Sequence, residues 1–333
     1  MSPAMARADV LLVSLGSTAG LRAADAELRG AIERAGAEVA VATTAPQRDV
    51  RTFALTDLVW ARAARAAVRA ALAQARPRAI LYSTTTAALL WPEPGAIRYD
   101  APSAANRPGR HGVWQRPLER RRLKAAPLLV PWAEGSLAET PEPHAPAVVV
   151  PVPVEPSGPA RAPTARDIAA ITYAANPHKK GLDRVLGAWV GARRADEELV
   201  VAGTESVPAA PGVRAAGRLP PAAYRALVRR ARVFIIAPRR EDYGIAQLEA
   251  LADGCALVTT AAPGPYAALP LARDLDPRLV PEGDSGLAVA LRAALDDLAP
   301  DYAERALHAL APFRPAGVDR TVAERLLPRL LAG

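Results

Sequence analysis

The chain has 333 residues, long for a single hydrophobic core, and two domains of about 150 residues each are the default expectation. Half of the residues are apolar and 23% are charged, so each half can bury a core and wholesale disorder is excluded. One cysteine and four scattered histidines exclude an internal disulfide framework and a multi-cysteine metal site, while a net charge of +8 favours polyanions, anionic lipid or phosphorylated substrates.

The opening MSPAMARADVLLVSLG carries only a brief apolar run before Gly16, too short for a signal-peptide core or a membrane span, and a cytoplasmic protein is the simplest reading. Residues 9–15 predict a first strand, Leu21 to Ala35 a helix stopped by Gly36, and 38–43 the next strand. This order opens a doubly wound α/β domain. The loop Gly16-Ser17-Thr18-Ala19-Gly20 lacks the G-x-G-x-x-G order of a dinucleotide fingerprint. It reads as a loop beside an acceptor or a phosphate, with Gly16 and Ser17 as the candidates, or as a plain tight turn. Thr56 is expected to cap a long helix to Gln74, followed by a strand at 79–83, a short helix at 84–91 and a strand at 96–100. Asp100 then stands at a strand's carboxyl end, where an acid can serve a site or cap the following turn.

Between Arg107 and Lys124 there are six arginines and one lysine against one acid, Glu119. Such a stretch suits an anionic membrane surface, giving peripheral contact at the inner membrane face, or a phosphorylated acceptor, or a solvated Arg-rich helix. His111, in a loop marked by Gly and Pro, is a candidate proton carrier or an ordinary loop histidine. No helix-turn-helix, RNP or zinc-finger pattern accompanies the charge and aromatics are few, so nucleic acid is not expected as a partner. Strands at 128–131 and 147–154 close a first domain over 1–154, and the Pro-, Gly- and Ala-rich residues 155–167 read as a linker.

A second domain, 168–311, starts with a strand at 168–174, a polar turn and a helix with apolar residues at Leu182, Val185, Leu186 and Trp189. Strands at 198–203 and from Val213 follow, then a helix opened by prolines. Val233 to Ile236 form a continuous apolar run suited to a buried parallel strand, and from Ile245 the spacing turns helical, with Gly254 past its end. Gly244 lets a backbone come close where that helix begins, and helix N-termini beyond strand ends bind phosphate. Glu241 in the loop and Glu249 in the helix read either as acceptors for sugar and ribose hydroxyls or as an exposed loop acid and a solvated helix acid, since Glu134/Glu142 and Glu197/Glu205 have the same spacing. The tail, 312–333, is expected to be a helix with a proline kink that packs back toward the first domain.

The segments ITYAANPHKKGLDRVLGAW, LVVAGTE, AGRLP and REDYGIAQLEALADGCALVTT, in this order and spacing, resemble the donor domain of GT-B-fold retaining glycosyltransferases of family 4, glycosyl transferases group 1. The resemblance implies an α/β fold of two doubly wound Rossmann-like domains facing a central cleft, with C-terminal helices. It implies a metal-independent hexosyl transfer from a nucleoside diphosphate sugar, the co-substrate, to an acceptor hydroxyl with retention, and no further cofactor. The acceptor is unspecified; the basic stretch hints at a lipid-linked or anionic glycan.

On matching positions, Lys180 would hold the diphosphate, with Asn176 nearby on the donor side. Glu241 would hold the transferred sugar and Glu249 the ribose. Amides at Tyr243, Gly244 and Ile245 would meet the diphosphate, and Glu205, Arg218 and Leu219 would lie near the base. Two positions depart from the family pattern: Ala175 stands where an arginine is usual, and Tyr99-Asp100 where His-Asp is usual, which leaves Asp100 as the first domain's candidate catalytic acid. These departures keep a second reading open, a nucleotide-sugar-binding protein without transfer activity, either epimerase-like or a non-catalytic subunit.

Overall fold

The computed structural model describes residues 8–47, 50, 52–107 and 109–332. Ten strands among them make two five-stranded sheets, and every strand pair is parallel. The first sheet holds β1 (Val10–Ser14), β2 (Val39–Thr43), β3 (Ala79–Tyr82), β4 (Ala96–Tyr99) and β5 (Leu129–Pro131) in the order β2-β1-β3-β4-β5. The second holds β6 (Ile168–Tyr173), β7 (Leu199–Ala202), β8 (Val213–Gly217), β9 (Ala231–Ile236) and β10 (Ala256–Thr259) in the order β10-β9-β6-β7-β8. The first order is that of flavodoxin-like sheets and the second that of the Rossmann sheet, so both are doubly wound α/β sheets, as the resemblance implies.

The chain divides into two units, residues 1–153 with 315–333, and residues 154–314. In the first unit, successive residues of β1 point to opposite faces, as the two-residue period requires. Leu11 and Val13 join a core with Trp60, Val68, Tyr82 and Trp91, whereas Val10 and Leu12 join one with Leu28, Ile32, Val318, Val322, Leu326 and Leu330. The second face is therefore covered by both ends of the chain. The tail runs as a helix Pro315–Thr321, a wider π-type turn Val322–Leu326, and a helix Leu327–Leu331. The wide turn lies just before Pro328, whose ring has no N–H and would clash with a carbonyl one turn earlier in a regular helix.

Three local expectations change. The long helix spans Phe53–Leu72 and is capped by Thr52, whose Oγ1 accepts from Leu55 N at 3.2 Å, while the Thr56 hydroxyl bonds the Val50 backbone instead. Helix forms at Thr85–Ala88 rather than over all of 84–91. Over 147–154, only Ala147 makes a bridge, to Leu129; Val148 N and Val150 N donate to Leu129 O and Pro131 O, and Pro151 and Pro153 have no N–H to continue the ladder.

Residues 155–167 lie bonded along the second unit. Ser157 N and Oγ donate to Asp253 Oδ1 at 2.7 and 2.9 Å, and the buried Arg166 guanidinium donates to Ala231 O and Asp253 O, each at 2.7 Å. In this unit β7 and β9 lie on opposite sides of β6, so the strand order reverses between β6 and β9, the place where open α/β sheets bind ligands beyond their carboxyl ends.

Candidate functional site

Three loops at the carboxyl edge of the second sheet interlock through their backbones. After β6, Asn176 Oδ1 accepts from Lys179 N at 3.0 Å and Asn176 O accepts from Lys180 N at 2.9 Å, which folds the loop back on itself. Gly181, at φ +66°, then starts the helix Leu182–Ala192; a Cβ there would lie 1.8 Å from Ala237 O, so the β6 and β9 loops approach as only glycine permits. Arg239 N donates to Lys179 O at 2.9 Å across the same seam. The β10 loop closes from the other side: Glu241 N donates to Pro263 O at 3.0 Å, and Tyr266 adopts φ +27°, a strained backbone of the kind found at functional sites.

This packing brings Lys180 Nζ to 2.6 Å from Glu241 Oε2. Gln247 Nε2 donates to the same oxygen at 2.9 Å, and among the described residues Glu241 Oε1 accepts no hydrogen bond. The carboxylate is 5% exposed and the ammonium 17%, so the pair is largely removed from water yet reachable from one side. Beside it, Lys179 and Arg240 both pair with Asp242. Burial pushes the Asp242 carboxyl up, but the two cations outweigh it and hold it below its ordinary range. Lys179 therefore does not stand unpaired in place of the arginine that Ala175 replaces.

Gly244, at φ +87°, begins the helix Ile245–Ala252, and no side chain caps its first N–H groups. The predicted amides of Tyr243, Gly244 and Ile245 lie at this helix N-terminus, next to the loop that carries Glu241. One turn on, Glu249 Oε1 is 3.3 Å from Arg225 Nη1. Burial pushes the Glu249 carboxyl above its ordinary range and Asp253 adds to this, while Arg225 opposes it. At the neighbouring strand ends, Glu205 Oε1 accepts from Arg218 N at 3.0 Å, and Gly217 at φ +68° leaves room for that carboxylate. Leu219 is exposed beside it. The donor-side residues named from sequence therefore stand on the loops after β6, β7, β8 and β9 and, for Ile245 and Glu249, on the helix Ile245–Ala252.

In the first unit the named residues stand on separate loops. Gly16, at φ +61°, and Ser17 follow β1; Gly16 O accepts from Arg22 Nη1 at 2.8 Å, and Thr18 Oγ1 caps the helix Ala19–Arg34. Asp100 follows β4 and its Oδ1 accepts from Ala101 N at 2.8 Å, the turn-capping use of that acid. Before it, the buried Tyr99 hydroxyl shares a hydrogen bond with Thr140 at 2.7 Å, and burial pushes the phenol up to about 12. His111 is exposed in a short 3-10 turn, Gly109–Gly112.

Of the basic stretch, Arg107 pairs with Asp57 at 3.0 Å, Arg116 and Arg120 bond backbone carbonyls, and Arg122 bonds Leu89 O while stacking over Trp91 at 4.7 Å. Those four cations hold the fold together. Arg110, Arg121 and Lys124 are exposed.

Sequence reasoning missed Gln247, Arg225 and Asp253. Gln247 is wholly buried on a helix whose other buried residues are apolar, and a buried amide must find a partner, which was the available signal. Arg225 offered none in a chain with this much arginine. Sequence also missed the buried Arg98–Asp25 pair, at 3.7 Å, with Ser14 Oγ donating to Asp25 at 2.6 Å at the end of β1.

Residues 167–297 match the family model described as glycosyl transferases group 1. Among solved structures, the chain is similar to WaaG, a glycosyltransferase involved in lipopolysaccharide biosynthesis, at 15% identity and TM-score 0.70, covering 95% of this chain and 99% of that one. It is similar to the sucrose-phosphate synthase of Thermosynechococcus elongatus at 14% identity and TM-score 0.73, covering 97% and 98%. It is also similar to HepE of Anabaena, solved in complex with UDP and glucose, at 13% identity and TM-score 0.68, covering 96% and 99%. A search of curated protein sequences finds no match to the chain. The second unit carries the match to the glycosyl transferases group 1 model, and the whole chain is similar in fold to solved glycosyltransferases.

Proposed function

We propose that the chain transfers a hexosyl group from a nucleoside diphosphate sugar to an acceptor hydroxyl, with retention at the anomeric carbon and without a metal ion. The observation that carries this reading is the Lys180–Glu241 pair, 2.6 Å apart, at the strand-order reversal of the unit that matches the family. A structure of the same fold holds UDP and glucose, which supports a nucleoside diphosphate hexose as donor here.

In this reading the diphosphate sits between Lys180 and the N-terminus of the helix Ile245–Ala252. Both lend positive charge to the oxygens on which negative charge builds as the bond to the anomeric carbon breaks. The acceptor oxygen bonds to that carbon on the face the diphosphate leaves, and the hydroxyl proton leaves with the diphosphate. A diphosphate competes with Glu241 for the Lys180 ammonium, and Glu241 in turn offers its oxygens to the sugar hydroxyls, with Gln247 holding the carboxylate in place. Glu249 accepts from the ribose diol, and Glu205 with the Arg218 and Leu219 turn flanks the base. Arg110, Arg121 and Lys124 are the cations we place against an anionic acceptor or membrane surface.

The test is to incubate the purified protein with a panel of nucleotide sugars, in buffer with and without EDTA, and follow the products. Slow release of nucleoside diphosphate from one donor, unaffected by EDTA and abolished by Glu249→Gln, is expected. Sugar isomerisation without release would instead identify an epimerase, and binding without either a non-catalytic subunit.

A further inference from the structure

Arg225 lies on the helix Pro221–Val228, which precedes β9, and only 14% of its side chain is exposed. Its guanidinium divides among three segments. Nε donates to Asp253 Oδ2 at 2.7 Å, Nη1 to Glu249 Oε1 at 3.3 Å, and Nη2 to Glu155 O at 2.8 Å. Asp253 is itself wholly buried at its side chain and accepts from Ser157 N and Oγ. The segment by which the chain enters the second unit is thus joined, through one arginine, to the acid one turn inside the helix Ile245–Ala252.

We propose that Arg225 is a positioning residue for the nucleoside: it holds the Glu249 carboxylate in one orientation for the ribose diol and anchors it to residues 155–157. The inference rests on the reading that Glu249 binds ribose. Two ribose hydroxyls donating to one carboxyl group need both oxygens as acceptors, which a protonated acid cannot offer. Burial and the nearby Asp253 both favour the protonated form, so the ionised form depends on a cation close by. Arg225 and Tyr224 come from the helix Pro221–Val228, and Asp253 from the end of Glu249's own helix; among the described residues, no charged group of the packed helices Ala268–Leu275 and Tyr302–Ala309 acts on it. Arg225 is the one cation in that set. A fixed planar fork, unlike a lysine ammonium, also sets the direction of the carboxylate.

The experiment measures binding by calorimetry across pH, using the tightest binder of UDP, GDP and ADP and its 2′-deoxy counterpart. The unsubstituted protein is expected to prefer the ribo form and to lose it as pH falls through the raised Glu249 value. Arg225→Ala is expected to weaken the ribo form about ten-fold or more, the scale of a charged hydrogen bond, and to erase the preference. Its acid midpoint should move to higher pH, and Arg225→Lys should move it back. Because Arg225→Ala leaves buried Asp253 without its cation, Arg225→Ala/Asp253→Asn is measured alongside, with the same loss of preference expected. If Glu249→Gln loses the preference while both Arg225→Ala proteins keep it with an unchanged midpoint, the inference fails and the ribose reading stands. If Glu249→Gln keeps the preference, or no nucleoside diphosphate binds, the ribose reading fails and takes the inference with it.

Discussion

Lys180 and Glu241 neutralise each other at 2.6 Å, and that pairing decides how substitutions there behave. Lys180→Ala leaves a 5% exposed carboxylate without its cation, and in our reading also leaves the leaving group without its clamp. We expect donor turnover to fall about 100-fold or more, by the scale of losing one preorganised stabilising group, while the thermal midpoint drops only modestly because Gln247 still bonds Glu241. Turnover near the unsubstituted rate would remove Lys180 from the site. A different acid gives a pH prediction. Glu119 is 3% exposed and accepts from Ser103 N at 2.7 Å; burial pushes its carboxyl above the ordinary range, with hydrogen bonds and Arg107 opposing. A raised folded-state value means that its stabilising effect is complete below the ordinary carboxyl range and is lost as pH rises through the raised value. Glu119→Gln keeps the acceptor and removes the ionisation, so its melting temperature relative to the parent should climb as pH rises through and above the ordinary carboxyl range. A constant difference across that span would contradict this. The placement of Glu241, Glu249 and Lys180 at one end of the second sheet was legible because four ordered segments carried them together. Arg225 and Gln247 were not, since each acquires a role only once the chain has folded distant residues beside it.

At the scale of elements, the contact between the β6 and β9 loops is the sharpest constraint. Gly181→Ala would put a Cβ 1.8 Å from Ala237 O and force a side chain into a left-handed backbone, and neither atom is the movable end of a side chain. A loss of about 2 kcal/mol or more follows, together with weaker donor binding as Lys180 is displaced, readable in denaturant melts and nucleotide titration. In the first unit, Thr52→Ala should cost about 1 kcal/mol as a lost helix cap, whereas Thr56→Ala should cost less, because Thr56 bonds only the Val50 backbone outside the helix. Element types were largely readable from apolar period and length. Ends were not: Thr52 and Thr56 are equally good caps in isolation, and the choice falls to where Trp60, Ala64 and Val68 must face the sheet. The run 147–154 has strand composition throughout, but alternate prolines deny it the donors a ladder needs.

For the whole molecule, alternation of strands and helices foretold two doubly wound sheets, but not that one is ordered β2-β1-β3-β4-β5 and the other β10-β9-β6-β7-β8. Which side of a sheet a crossover takes depends on which helix faces are already buried, and no local pattern records that. The second unit is a single stretch, 154–314, whose ends meet where Val154 N donates to Phe313 O at 2.8 Å. Residues 154–314 expressed alone should therefore fold cooperatively and bind nucleoside diphosphate, yet transfer no sugar; a fragment that neither melts as a unit nor binds would show that the site needs the remaining chain. The first unit has no such independence, because Val318, Val322, Leu326 and Leu330 complete the face formed by Val10, Leu12 and Leu28. During synthesis the ribosome releases this unit's sheet before residues 154–314, and its covering residues Val318 to Leu330 only after them. Residues 154–314 can finish folding before the first unit does, and until Val318 to Leu330 emerge that unit's sheet carries an apolar face covered only in part, by Leu28 and Ile32.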